Sequence, residues 1–439
     1  MPKKIFFIIF LNLSLLNAGY YLSPSERKQS KIDKMPKAKF ADLSNIPQDL
    51  SYYANQASSF SYAEQKKYDD EYNQKYFAPW SKSEVTIKPE DFGWETRFIR
   101  EKPIFRENAL QISPFIYENW IDNANMENYN TIKARAITIK RVNLKSLPTD
   151  EAFYRNPNQI GEGFPFDYNQ NSAYPLNMPL LISHYSKDEK WAFVQGAYAF
   201  GWIKISEIAL VDDNFIKQFQ NRSYAITTRD NLRLYNNNKE ITLVKMSTIF
   251  PYDKEGYFFA TKDKNGYANL AKFNPTEDGL ISSKPLKFSP ENIAKIASQF
   301  KNEPYGWGES YETRDCSALT RDFFAPFGIF LDRNSGQQAK NGCQTYIKSL
   351  QKDEKKKKIL TNAKPFRSML FVPGHIVLYL GEYNNEPIVM HAYWGIRQND
   401  WSKLITGRTI ISTTEPAKEL NSTRSESQLI ETLQSIVSF

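Results

Sequence analysis

Residues 304–336 read PYGWGESYETRDCSALTRDFFAPFGIFLDRNSG, and the second half of this stretch decides the fold. Leu319, Phe323, Phe324 and Phe327 recur at helical spacing, which predicts an amphipathic helix opening at Asp315-Cys316-Ser317. Cys316 then stands at the helix N-terminus, where the helix dipole and free backbone N–H groups favour thiolate over thiol. A nucleophilic cysteine needs this at neutral pH. The alternative is a buried structural cysteine at a helix start. Upstream, Ser289 followed by Pro290 marks a second helix start, with Ile293, Ile296, Ala297 and Phe300 on one face.

The chain holds 3 histidines. His375 and His391 flank GHIVLYLGEYNNEPIVMHAYWG, which reads as an antiparallel hairpin with a loop of Gly381 to Asn385. If Tyr383 is the loop's centre, the two histidines lie directly opposite each other and share a face, so one can orient the other. A tighter turn at Asn384-Asn385 would slip the register and separate them. A cysteine nucleophile, a histidine base and a third polar group form one catalytic logic. Alternatively the histidines are satisfied strand residues or, with Cys316, zinc ligands, but no fourth ligand has suitable spacing. His184 lacks such a context and reads as a barrel surface residue.

The length of 439 residues exceeds one ordinary domain and is ample for several cores. Hydrophobic residues at 41% and aromatics at 15% exclude a disordered acidic tail, a collagen-like repeat and a coiled-coil rod. The net charge of +8 permits attraction to nucleic acid, anionic membrane or polyanionic envelope polymers without choosing among them. The run Lys355 to Lys358 has no interleaved aromatics and reads as a solvated loop. Lys3 and Lys4, the apolar run Ile5 to Leu16 and the small residues Ala18 and Gly19 read as a secretory signal. The 2 cysteines, Cys316 and Cys343, are too few for a disulfide-stapled scaffold.

Along the chain, residues 19–47 are polar and irregular, like a tether. Ala63 to Phe77 places Tyr68, Tyr72 and Phe77 near helical spacing before Pro79 and Trp80, a helix that packs on a neighbour. From Ala136 to Asp212, and again from Ser223 to Phe273, short apolar alternations between turn residues suggest a tandem pair of small barrels.

Taken together, Tyr305-Gly306-Trp307-Gly308, Asp315-Cys316-Ser317, Arg333-Asn334-Ser335, Gly374-His375 and His391 resemble, in order and spacing, the signature of the NlpC family (NlpC/p-sixty) of papain-like cysteine peptidases. The resemblance covers about residues 289–415. It implies an α+β protein: a papain-like NlpC domain at 285–439, SH3-like barrels at 131–215 and 216–280, an N-terminal clip segment at 19–130 and a signal peptide at 1–18. That architecture is similar to γ-D-glutamyl-L-diamino acid endopeptidases, which cut between D-Glu and meso-diaminopimelate or Lys in murein peptides. By the resemblance Cys316 is nucleophile, His375 general base and His391 the orienting residue. Tyr305, Asp315, Ser317, Arg333 and Ser335 match peptide-binding positions, Asp315 suiting a free L-Ala ammonium.

The residues themselves allow Asp315 and Arg333 to take an amine and a carboxylate, or to be a helix cap and a loop salt bridge. Glu309 departs from the family pattern, which usually has a second Gly there. Tyr198 or Asp167 is the candidate for narrowing the cleft. No cofactor or metal is expected. The expected partners are peptidoglycan stem peptides or murein fragments, with no nucleic acid and no stable membrane insertion. An exported monomer of the periplasm or cell envelope is implied. The rival readings are a non-catalytic wall-binding protein that uses its SH3-like domains, and an amidase or acyltransferase on the same scaffold.

Overall fold

The computed structural model describes residues 24–88, 94–159, 161–236, 239–275 and 279–439. The signal-peptide reading of 1–18 lies outside them. Among the described residues no helix is long and apolar enough to cross a membrane.

The N-terminal segment is not a tether. Ile32, Met35, Ala38 and Phe40 are buried, and the Ala38 N–H donates to the Ile405 carbonyl. Apolar residues dispersed among lysines gave no periodic signal, yet Met35 lies beside Gly407, and Ala38 and Phe40 share a core with Ile396 and Ile410 of the C-terminal sheet. Helix α1 (Tyr62–Ser81) starts with a capping box in which Ser61 and Glu64 satisfy each other's backbone N–H. It continues two residues past Pro79, which sits in its last turn rather than ending it. Tyr72, Tyr76, Phe77 and Trp80 are buried in a core that includes residues of two β-sheets and Phe330 of the C-terminal part. Each such burial contributes roughly 1.5–3 kcal/mol, so tertiary packing offsets the cost of the proline.

Between Ala134 and Leu210 runs a seven-stranded sheet, whose strand β1 (Gln170–Tyr174) faces the C-terminal part. Between Ser223 and Ser283 lie a five-stranded sheet and a two-stranded ribbon. His184 is fully buried in the first sheet, with Nε2 on the Ala124 carbonyl at 2.9 Å and its ring against Trp202. It is a core residue, not a surface one, because a backbone carbonyl and the Ser183 hydroxyl satisfy both ring nitrogens.

The C-terminal part is one mixed layer arrangement. Helices α2 (Pro290–Ser298) and α3 (Cys316–Phe324) pack on a six-stranded sheet made of β2 (Cys343–Tyr346), β3 (Ser368–Val372), β4 (His375–Tyr383), β5 (Glu386–Arg397), β6 (Lys403–Thr413) and β7 (Ser435–Ser438). The order is β2-β7-β3-β4-β5-β6. Strand period decides the layers: Ile376, Leu378 and Leu380 join Leu319 and Phe323 of α3, whereas Val377 and Tyr379 join Ile359 on the other side. Ile359 belongs to helix α4 (Lys352–Asn362), which contains the Lys355–Lys358 run. The run is therefore not a loop. Lys355 is buried and donates to the Ile430 and Glu431 carbonyls, and Lys356 pairs with Glu386 and Glu415.

Candidate active site

Helix α3 begins at Cys316, with Asp315 as N-cap accepting from the Ala318 N–H at 2.9 Å. Helix α3 packs against strand β4, which His375 begins, and Cys316 and Ile376 lie in the same buried core. Cys316 opens onto a cleft also lined by Tyr305, Trp307, Asp315, Ser317, Arg333 and Ser335. The helix start predicts a lowered thiol pKa, and the structure reverses this. Burial, followed by the Asp315 carboxylate, pushes the thiol up to about 12, outweighing the Ile376 N–H and Arg333. Both cysteines are free, and Cys343 is exposed on the edge strand β2.

The histidines meet by a different route from the direct opposition expected. The hairpin turns tightly at Asn384 and Asn385, whose φ values of 50° and 63° suit a two-residue turn. That register alone would put His375 and His391 on opposite faces. A bulge between Tyr379 and Gly381 shifts the pairing by one, so that Leu378 pairs with Met390. Gly381 adopts φ 130°, a conformation L side chains rarely take. His375 is thereby level with Tyr393 and diagonal to His391 on one face, and the ring nitrogens meet at 2.8 Å.

Their tautomers follow from the donors. Ser412 Oγ donates to the Thr413 carbonyl at 2.8 Å, so it accepts from His391 Nε2 at 3.2 Å. His391 Nδ1 then accepts from His375 Nε2, leaving His375 Nδ1 bare, as a general base requires. Burial holds His375 down at about 4, against the Asp315 charge, and holds His391 well below the ordinary histidine value. The resting pair is a neutral thiol and a neutral imidazole.

This predicts the acid limit of any Cys316-dependent activity. Protonating His375 removes the base, so the rate should fall with a midpoint near pH 4 rather than 6.5. A pH–kcat/KM profile checks it; a midpoint near 6.5 would contradict the buried environment. The linked stability has the same sign. Between pH 6.5 and about 4 the unfolded chain binds a proton that folded His375 refuses, so stability drops as pH falls through that window.

The structure places Asp315 and Arg333 in the cap-and-salt-bridge arrangement. Arg333 is buried, and its guanidinium donates to Ser172 Oγ at 2.7 Å, to Asp315 at 2.7 and 3.2 Å and to Ser317 Oγ at 2.9 Å. Its bidentate fork is spent on Asp315, so it has no fork left for a substrate carboxylate. Asp315 also takes the Gly308 N–H at 3.2 Å and the Ser317 hydroxyl at 3.2 Å. Tyr305 packs between Phe166 and Trp394, and Ser335 opens the short helix Ser335–Gln338 on the cleft wall.

Neither residue named for narrowing the cleft lines it. Tyr198 donates to the Ala173 carbonyl at 2.9 Å under Arg321, and Asp167 holds Lys145 and the Phe153 and Asn169 N–H groups. The first sheet instead contributes the neighbouring residues Tyr168, Gln170 and Asn171 to the cleft wall. Sequence reasoning also missed Ser412, which sets the His391 tautomer, and Gln338, which ties Thr320 and the Ser317 carbonyl to the Asp332 carbonyl. Among the described residues no group of three or more His, Cys, Asp or Glu is placed to hold a metal ion.

Three family models match the chain. Residues 8–129 match the NLPC_P60 stabilising domain (N-terminal), 152–204 an SH3 domain of the SH3b1 type, and 302–409 the NlpC/P60 family. Among solved structures, an NlpC/P60 endopeptidase from Photobacterium damselae subsp. piscicida is similar, with a TM-score of 0.82 and 24% identity over 92% of this chain and 98% of that one. An NlpC/P60 family protein from Bacillus cereus is 15% identical over 70% of this chain and 99% of that one, with a TM-score of 0.43. No curated protein sequence matches the chain. Segments that match the stabilising, SH3 and NlpC/P60 models thus follow one another along one polypeptide, and residues 302–409 form a domain of the NlpC/P60 family, whose members are typically cysteine peptidases acting on peptidoglycan.

Proposed function

We propose that the protein is a γ-D-glutamyl-L-diamino acid endopeptidase acting on murein stem peptides. The observation that carries this is the hydrogen-bonded chain from His375 through His391 to Ser412 on the sheet against which α3 packs, with Cys316 at the start of that helix and on the cleft wall. In the reaction His375 Nδ1 takes the Cys316 proton as sulfur attacks the γ-carbonyl of D-Glu. The Cys316 N–H, first in its helix and without an intrahelical partner, donates to the oxyanion. His375 returns the proton to the leaving amine of the diamino acid, and a thioester remains. A water deprotonated by His375 then hydrolyses it, and His391 keeps the base in its tautomer throughout.

Asp315 serves the substrate's free L-Ala ammonium: it lies on the cleft wall, and an amine there would join Arg333 as a second cation on its carboxylate. Arg333 acts through Asp315, and Tyr305, Ser317 and Ser335 shape the peptide-binding wall. The apolar run Ile5 to Leu16 behind Lys3 and Lys4 supports export to the periplasm or cell envelope. We read 131–215 and 216–280 as SH3-like units, the first of which lends Tyr168, Gln170 and Asn171 to the cleft wall, and the protein as a monomer.

The test is mass spectrometry of L-Ala-γ-D-Glu-meso-diaminopimelate incubated with the mature protein. Release of L-Ala-D-Glu is expected, with N-acetylation of the substrate lowering kcat/KM by roughly tenfold or more if Asp315 reads an ammonium. Equal rates on both peptides would remove that role. Absence of cleavage of either would point to the wall-binding reading.

A further inference from the structure

Glu309 stands in the left-handed region, φ 61° and ψ 23°, in the loop before the nucleophile. A non-glycine residue there carries a conformational cost, and the reason for it lies in where the side chain goes. The carboxylate is buried and holds Arg321 at 2.7 and 3.0 Å, the Arg333 Nε at 3.2 Å and the Ser172 hydroxyl at 3.0 Å. The Ala173 N–H points at the same oxygen from 3.4 Å. Arg333 in turn donates to Ser172 and holds Asp315, the cap of the helix that Cys316 begins. Burial raises the Glu309 carboxyl, but Arg321 and Arg333 outweigh burial and keep it ionised, well below the usual carboxylate range. The mechanism gives this buried anion no task.

We propose that Glu309 is a positioning residue for the nucleophile: it fastens Arg333 to strand β1 of the first sheet, so that Arg333 holds Asp315 and Asp315 holds the start of α3. The inference deepens the cysteine-peptidase reading and rests on it for its kinetic readout. It makes the first sheet part of the catalytic frame, through Ser172 and Ala173, beyond forming a cleft wall. The neutral amide of Glu309→Gln would leave Arg321 and Arg333 facing each other with one anion fewer, and Arg333 would no longer be pulled toward β1. An ångström-scale displacement of a reacting group can cost as much as about a hundredfold in rate.

The test uses the full mature chain with Cys343→Ser, leaving Cys316 the only thiol. Glu309→Gln, Glu309→Asp and Ser172→Ala are compared by steady-state hydrolysis of the tripeptide, by the rate of Cys316 alkylation with iodoacetamide and by thermal melting. For Glu309→Gln, kcat should fall at least about tenfold with KM within about threefold, and the alkylation rate should change at least about threefold. Glu309→Asp keeps the charge and tolerates the left-handed backbone, so it should recover to within about threefold of the parent. Ser172→Ala should lower kcat about threefold, and it decides the matter if Glu309→Gln fails to fold. Parental kcat and alkylation in Glu309→Gln, a loss confined to KM, an Asp variant as impaired as the Gln variant, or an unaffected Ser172→Ala would overturn the proposal. If the tripeptide is not cleaved by any form, alkylation still distinguishes the variants, so failure of the substrate assignment is not mistaken for failure of the positioning role.

Discussion

Replacing Cys316 with Ala should lower tripeptide hydrolysis by at least about four orders of magnitude, because without the nucleophile no thioester forms and only binding and oxyanion contacts remain. The fold should hardly notice. Cys316 is a small buried side chain on the first turn of α3, and that helix is fastened by the Asp315 cap and by Leu319, Phe323 and Phe324 in the core. Loss of one sulfur atom costs about 1 kcal/mol or less, a melting shift of a few degrees at most. Cys343→Ser should leave the rate unchanged, since Cys343 is exposed on the edge strand far along the sheet order from β4 and β5. Rates from the three proteins and their melting curves together check this. Substantial hydrolysis by a folded Cys316→Ala protein would remove the nucleophile assignment, and a large loss in Cys343→Ser would mean the second cysteine had been misjudged.

What could be read from the sequence was local. Ser289-Pro290 starts a helix because hydroxyl and ring each answer a nearest-neighbour need, and the structure has Ser289 capping α2. The apolar spacing of Leu319, Phe323 and Phe324 likewise fixes which face of α3 is buried, and so brings Cys316 to the sheet. The histidine pair was legible as a pair but not in its geometry. A bulge at Gly381 restores the shared face that the tight Asn384-Asn385 turn takes away, and a bulge depends on both strands and their neighbours.

The ionic partners were illegible for a further reason. Arg333 reads equally well as a substrate ligand or a salt bridge, because its chemistry is the same in both. Only the placement of Asp315 and of Ser172, more than 150 residues earlier, around its guanidinium shows where its hydrogen bonds go. His184 failed similarly: its burial follows from the Ala124 carbonyl and Trp202, neither adjacent in sequence. Glu309 was visible as a departure from the family pattern, while its partners on β1 were not.

The largest expected loss of stability is at Arg314. This residue is 1% exposed, and its guanidinium binds Asp322 at 2.7 Å, Glu303 at 2.8 Å and Asp230 at 2.9 and 3.0 Å. Asp230 comes from the second β region, so one side chain ties that region to helix α3, with Lys245 adding a contact to Asp230 at 2.6 Å. Burial raises the Asp230 carboxyl, but Arg314 and Lys245 outweigh it and hold it well below the usual range. Glu303, whose second oxygen is buried without a partner, is pushed up by burial instead. Arg314→Leu removes the counter-charge these three buried carboxylates share: Asp230 keeps Lys245 and Asp322 keeps Arg321, while Glu303 loses its hydrogen-bond donor. Breaking a buried pair in this way costs about 3–5 kcal/mol.

The pH dependence gives this prediction its sign. In the parent, the depressed Asp230 contributes stability that is present above its unfolded pKa and is lost as pH falls through its lower folded value. In Arg314→Leu the Glu303 carboxyl, already raised by burial, binds a proton more readily folded than unfolded, so acid relieves the variant. The gap in stability should therefore be widest near neutrality and should narrow as pH drops below about 5. Urea unfolding at several pH values, followed by intrinsic fluorescence, measures the gap. Adding Glu303→Gln to Arg314→Leu should recover part of the loss at neutral pH, because it removes the carboxylate that already resists ionisation. A gap below about 1 kcal/mol, or one that widens in acid, would mean that water reaches these carboxylates and that Arg314 does not hold the two regions together.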